Sequence, residues 1–195
     1  MIRRLLGVVV VVMLAGVSSA CGAGGPGAAR LSIISYRGAD WLTDGAIKPP
    51  ASLERSDRIH YPHNMNGVVL ASTDSQTLLD LAGDDQYGEV TRDYFAAGAG
   101  LKAYLAARSQ LHITGDPNPA RLAHIKGFRF LAYSPEAATV EVVYIEPDQS
   151  VTGVTRTVVW LGDTWLIQLP DPASPTSPVK AYPTMPTNIN ALPQT

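Results

Sequence analysis

Of the four histidines, only His60 and His63 lie close together, separated by two residues. A pair of imidazoles can begin a metal site. Pro62 opposes placing both on one helical turn, and no third ligand accompanies them. A polar lead-in to a helix is the simpler account. His112 and His124 stand singly beside loop sequences and read as surface or structural residues. Asp74, Asp93, Tyr94 and Tyr104 are the side chains from which an acid–base pocket would draw. Asp93 and Tyr94 are adjacent and point about 100° apart on a helix, so one pocket does not take both directly. Tyr94 falls on an apolar stripe and reads as core. Asp74 sits within Thr73-Asp74-Ser75-Gln76-Thr77 and reads as part of a solvated face. Arg156 alternates onto the face of Val158 and Trp160. There it would stack on an aromatic ring, pair with a carboxylate, or lie at the wet end of a strand. The chain has no Gly-x-Ser-x-Gly, no phosphate-binding Gly-Lys motif and no nucleophile with a spaced base. No catalytic, cofactor-binding or metal-binding residue is assigned, and the chain reads as a non-enzyme.

The remaining residue with chemistry of its own is Cys21, the single cysteine of 195 residues. Alone it forms neither an internal disulfide nor a cysteine-based zinc site. It follows a basic start (Met1-Ile2-Arg3-Arg4), an uncharged run from Leu5 to Val17 broken only by Gly7 and Gly16, and the small residues Ser18-Ser19-Ala20. These are the parts of a secretory signal. The apolar run is shorter than the ~18–20 residues that span a bilayer as a helix. The stretch ending at Cys21 resembles the lipobox of bacterial lipoproteins, although Ser18 stands where that family prefers Leu, with Val17 one step further back. The resemblance implies that residues 1–20 are a signal peptide, and that Cys21 is lipidated and anchors the chain on the extracytoplasmic face of the cell membrane. Ordinary cleavage near Ala20 and an uncleaved anchor are the alternatives. The whole chain carries 15 basic and 17 acidic residues, a net of −2. Without Arg3 and Arg4, 13 basic residues face 17 acidic ones, a net of −4 over 175 residues. That balance argues against a nucleic-acid partner.

The elements that would carry these residues fall into three stretches. Residues 21–57 comprise the anchor Cys, a Gly- and Ala-rich tether to about residue 30, and an ambiguous segment. Residues 170–195 hold seven of the fifteen prolines and read as an extended or disordered tail. The core is then 58–169. Asn66 is placed to cap a helix running from Gly67 to Ala82. A second periodic stretch, Glu89 to Gln110, carries Val90, Tyr94, Ala97, Leu101 and Leu105 on one face. Gly98-Ala99-Gly100 divides it into two helices, because each interior glycine costs about 1 kcal/mol. The period then changes to two, giving strands over 127–133, 139–146, 151–161 and 164–169. Gly162-Asp163 is a two-residue hairpin signal that sets Trp160 opposite Trp165 and Leu161 opposite Thr164. The expected fold class is α+β, with two to three N-terminal helices packed on a curved four-stranded antiparallel sheet.

That element order, closing in Val158-Val159-Trp160-Leu161-Gly162-Asp163-Thr164-Trp165-Leu166-Ile167, resembles the cystatin/NTF2-like cone. The entry Tyr61-Pro62-His63-Asn64 to Ala71, the Gly98 to Leu101 break and the Gly127 to Val140 join also resemble actinobacterial exported domains. Those accompany conjugative elements and envelope machinery, type IV secretion scaffolds and Mce-associated proteins among them. The resemblance implies a membrane-anchored envelope lipoprotein, bound through Cys21. It would act as a non-enzymatic scaffold for an envelope protein partner, in conjugative transfer or a secretion-related assembly. A cone cavity holding a lipid or small apolar ligand, and an NTF2-like pocket enzyme, are the two rival implications. These known scaffolds use a transmembrane helix in place of a lipidated Cys.

Overall fold

The computed structural model describes residues 30–53, 58–174 and 176–193. Cys21, the signal segment 1–20 and most of the tether lie outside the described residues. The segment with ambiguous sequence forms a hairpin of β1 (Ser32–Tyr36) and β2 (Ala39–Thr43), with Tyr36 opposite Ala39 across the turn. Its turn residues Arg37 and Gly38 have φ of 52° and 84°, the left-handed pair that matches strand twist. Three helices follow: α1 (Met65–Leu81), α2 (Tyr87–Tyr94) and α3 (Ala99–Arg108). A short 3-10 turn at Pro119–Arg121 leads into β3 (His124–Tyr133), β4 (Ala137–Ile145), β5 (Val151–Leu161) and β6 (Thr164–Gln168). Two more strands complete the set, β7 (Val179–Tyr182) and β8 (Asn190–Ala191).

This architecture overturns the expected fold class. The main sheet has six strands, not four, in the order β6-β5-β4-β3-β8 with β7 also paired to β5. The helices come after a two-stranded sheet and are not N-terminal. The fold is mostly β, and the cystatin/NTF2-like cone is not what these residues build. The extra strands come from the proline-rich segment, whose described residues form β7 and β8. Its prolines fall between the strands: Pro178 and Pro183 bracket β7, which sits at the sheet edge, where a missing N–H is tolerated.

Helix α1 is held between the β1–β2 hairpin and the inner face of the main sheet, touching β2 on one side and β4, β5 and β6 on the other. Its cap is Asn64, two residues before the expected one, and the Asn64 side chain accepts from Gly67 N at 2.9 Å. The Pro62 carbonyl folds back so closely that a Cβ at Gly67 would overlap its oxygen. The helix is buried nearly all round, including Ser72, Thr73, Asp74 and Ser75. Two of these polar groups are satisfied within the helix: the Ser72 and Thr73 hydroxyls donate to the Val69 carbonyl, each at 2.9 Å. Helices α2 and α3 part at Phe95–Gly98 as the glycines predict, and Ala96 N donates to the Ile167 carbonyl of β6.

Register assigns the two faces of the main sheet. Phe128, Phe130, Val140, Val142, Arg156, Val158, Trp160, Trp165 and Ile167 share the inner face. Arg129, Glu141, Val143, Gly153 and Thr155 share the outer one. The Gly162-Asp163 hairpin has the register read from its sequence, Trp160 opposite Trp165 and Leu161 opposite Thr164. From β7 the chain crosses to β8, on the far side of β3, and its Tyr182 and Asn188 bond outer-face side chains on the way.

Candidate functional site

The inner-face strands end in an aromatic group at the hairpin. His63 stacks on Trp160 with ring centroids 3.9 Å apart and planes 14° apart. Trp160 meets Trp165 edge-on at 5.4 Å, and Tyr133 lies 6.5 Å from Trp165. Each ring is positioned from the backbone. The β3–β4 register slips between Phe130 and Ala132, making Leu131 an extra residue that turns Tyr133 onto the inner face opposite Ala138. His63 Nε2 lies 2.6 Å from the Pro135 carbonyl. Trp165 Nε1 donates to the Pro62 carbonyl at 3.1 Å, while the Thr164 hydroxyl accepts from Tyr61 N at 2.9 Å. The segment before α1 is thereby laced to the hairpin. Trp165 is fully buried, while Tyr133 beside it is 42% exposed.

The sequence candidates scatter. His60 turns away from His63 and pairs with Asp163 at 3.0 Å. His112 pairs with Asp84 at 2.7 Å and His124 with Asp40 at 3.2 Å. No group of three or more metal-ligating side chains occurs among the described residues. Asp93 is bonded by its neighbour Arg92 at 2.9 Å. Tyr94 is core, its hydroxyl accepting from Ile59 N at 3.2 Å. Tyr104 is half-buried on α3, and burial raises its phenol. Arg156 does stack on an aromatic ring, Tyr144, at 5.4 Å.

Asp74 departs most from expectation. It is fully buried rather than solvated, because the hairpin closes over the face of α1 that its polar sequence marks as wet. One carboxyl oxygen accepts from Leu42 N at 3.0 Å and from the Thr73 hydroxyl at 3.3 Å. Among the described residues the other meets no hydrogen-bond donor or acceptor in bonding geometry, and the same holds for the Ser75 and Tyr61 hydroxyls. Burial pushes the Asp74 carboxyl well above the carboxylate range. Burial first, and then the charge of Asp74, pushes the Tyr61 phenol up.

Two clusters carry charge without having been singled out in the sequence. Arg108 is buried at the end of α3, donates to Asp84 at 2.7 Å and lies over the Tyr87 ring at 4.5 Å. That bond holds the Asp84 carboxyl below its usual value. On the outer face Arg129 Nε stands 2.6 Å from Glu141 Oε2, an ion pair whose angle falls short of a hydrogen bond. Arg129 also donates to Tyr182 Oη at 2.6 Å and to Asn188 Oδ1 at 2.8 Å, and Tyr182 Oη donates to Glu141 Oε1 at 2.7 Å. The sequence signal for the pair was present: opposite charges in neighbouring strands, each alternating against apolar residues that point the other way.

Two surface cavities stand out. One, of about 400 Å³, is lined by Arg37, Asp84, His112 and Asp116 among others. The second, of about 280 Å³, lies beside β5 and includes Arg156, Gln76 and Gln168. Neither is lined by Asp74 or Tyr94. No helix among the described residues is long and apolar enough to cross a membrane. A family model described as a domain of unknown function (DUF8175) matches residues 50–187, from after the β1–β2 hairpin through β7. No curated protein and no solved structure matches the chain.

Proposed function

We propose that this chain, which belongs to the DUF8175 family, is a lipid-anchored protein of the bacterial cell envelope that works by binding another protein. The observation that carries the binding role is the aromatic end of the main sheet. Scattered exposed apolar residues are ordinary, but a contiguous apolar surface supports an interaction site. Here the exposed Tyr133 ring lies beside Trp165, which meets Trp160 edge-on in its stack with the exposed His63. Aromatic side chains supply large contact area with few rotatable bonds to immobilise. Both cavities combine charged or polar side chains with apolar ones in their lining. The lipobox-like sequence ending at Cys21 supports the anchor, and the Gly- and Ala-rich stretch after it would let the domain reach a membrane-bound partner.

Two measurements test the two halves. Cys21→Ser moves the protein from the membrane to the soluble fraction; unchanged membrane association removes the anchor. Crosslinking in intact membranes traps a discrete partner, and Tyr133→Asp, a change at an exposed ring, lowers its yield about tenfold. An undiminished yield from a folded Tyr133→Asp protein overturns the assigned surface.

A further inference from the structure

The outer edge of β5 is shared by two strands. β6 pairs with Thr157 to Leu161 and β7 with Val151 to Val154. The chain between them leaves the edge after Leu169 and returns at Pro178, and the 280 Å³ cavity opens in that gap. Arg156 is its one charged lining residue. Across β4 its neighbour is Val140, fully buried, so the Arg156 side chain rises from the apolar face of the sheet. Arg156 is half-buried as a residue, and its guanidinium donates from Nη1 to Tyr144 Oη at 2.7 Å and lies 5.4 Å from that ring's centre. Among the described residues, no carboxylate lies within the 4.0 Å of an ion pair with it. Asp80 acts on it only from further away, and its Oδ1 is occupied by the Gln76 amide at 2.8 Å.

A guanidinium drawn partly out of water is ordinarily matched by an anion. Tyr144 takes one nitrogen and fixes the plane of the fork. The remaining N–H groups then have the geometry that grips two oxygens of one carboxylate. Gln168 and Ser177 add neutral hydrogen-bonding groups to the same lining, which holds no acidic side chain; Asp80 acts on Arg156 only from behind Gln76. We infer that the gap between β6 and β7 is a binding site for a small organic carboxylate, with Arg156 as its anchor and Tyr144 as the residue that positions it. This inference is independent of the protein-binding role and of the aromatic surface.

The test is a titration of the full-length chain, followed by the NMR resonance of the Arg156 Nε–H group. N-acetylglycine produces a saturable shift, and N-acetylglycinamide, its uncharged analogue, produces none. Inorganic phosphate binds at least about tenfold more weakly than the acid. Arg156→Gln abolishes the response of neighbouring Thr155 and Gln168 signals, and Arg156→Lys, which keeps the charge but loses the fork, weakens binding about tenfold. Tyr144→Phe weakens it severalfold with the fold unchanged. No saturation with the acid, equal response to the amide, or undiminished binding in Arg156→Gln overturns the site. Phosphate binding as tight as the acid overturns the carboxylate assignment. Should Arg156→Gln fail to fold, the Arg156→Lys and amide arms decide.

Discussion

On its inner face the main sheet meets α1, whose fully buried Asp74 has one oxygen bonded to Leu42 N and Thr73 and the other without a hydrogen bond among the described residues. On its outer face Glu141 is almost as buried, yet both of its oxygens are engaged, by Arg129 and by Tyr182. The inner face is closed by apolar packing of a helix and a hairpin. The outer face is closed by a segment with few large apolar residues, held through an ion pair and its hydrogen bonds. The same problem, a carboxyl out of water, is met once by holding the acid's proton more tightly and once by supplying a counter-charge. The contrast implies that the end of β7 and the crossing to β8 are fixed to the sheet through Arg129 and Glu141, in addition to the β8–β3 pairing and the buried Leu192. The hairpin over α1 depends on Asp74 far less.

The largest effect expected from breaking this contrast is on the outer face. Arg129→Met leaves Glu141 buried without its counter-charge and frees Tyr182 and Asn188, at a cost of about 3 kcal/mol. Urea unfolding measures it. A loss below about 1 kcal/mol would mean that water reaches Glu141 and that the outer face is not closed by this pair.

A smaller effect comes from the floor of the same cluster. A Cβ at Gly153 would lie 2.7 Å from the Tyr182 ring and 2.8 Å from Glu141 Oε1. Gly153→Ala therefore costs about 2 kcal/mol through overpacking, and the strain falls on Tyr182, since β5 itself is locked between β4 and β7. Limited proteolysis reads this separately from stability: cleavage within 183–189 speeds up while the core fragment persists. Cleavage spread evenly over the chain would show that the segment after β7 is no more detachable than the rest.

How far the sequence discloses these two faces follows from the range of the interactions involved. The Gly162-Asp163 turn and the alternation around it fix the Trp160–Trp165 register locally, and the division of α2 from α3 at Gly98 is equally local. Asp74 was misread because a helix with polar residues in its middle looks solvated. Nothing near it in sequence announces that β1 and β2, with more than thirty residues between Leu42 and Asp74, will cover that face. The segment after Leu169 was misread because its prolines were weighed as a group. Taken one by one they bracket four residues, Val179 to Tyr182, that pair at an edge. The His60–His63 spacing suggested chemistry, but the sheet sends one ring to Trp160 and the other to Asp163. Arg156 was legible as far as its face and its aromatic partner. The cavity beside it was not, because it arises from a gap between β6 and β7, and the sequence pattern gives no strand at β7.

The finest test concerns Asp74, where the expected change is close to zero in acid and grows with pH. Burial raises its carboxyl well above the ordinary 3.8, against the smaller opposing pull of the Leu42 amide and the Thr73 hydroxyl. The folded state thus holds this proton more tightly than the unfolded state does. Its contribution to stability is fully present below about 3.8 and is lost as pH rises through the interval up to the folded-state value. Asp74→Asn removes that titration while keeping an oxygen for the Leu42 amide. Urea midpoints of the two proteins therefore nearly coincide below pH 3.8, and at neutral pH the variant is the more stable. The matching change on the outer face, Glu141→Gln, has the opposite sign at neutral pH, because it deprives Arg129 of its counter-charge. A less stable Asp74→Asn protein at neutral pH would mean that the fold does not hold the Asp74 proton more tightly than the unfolded chain does.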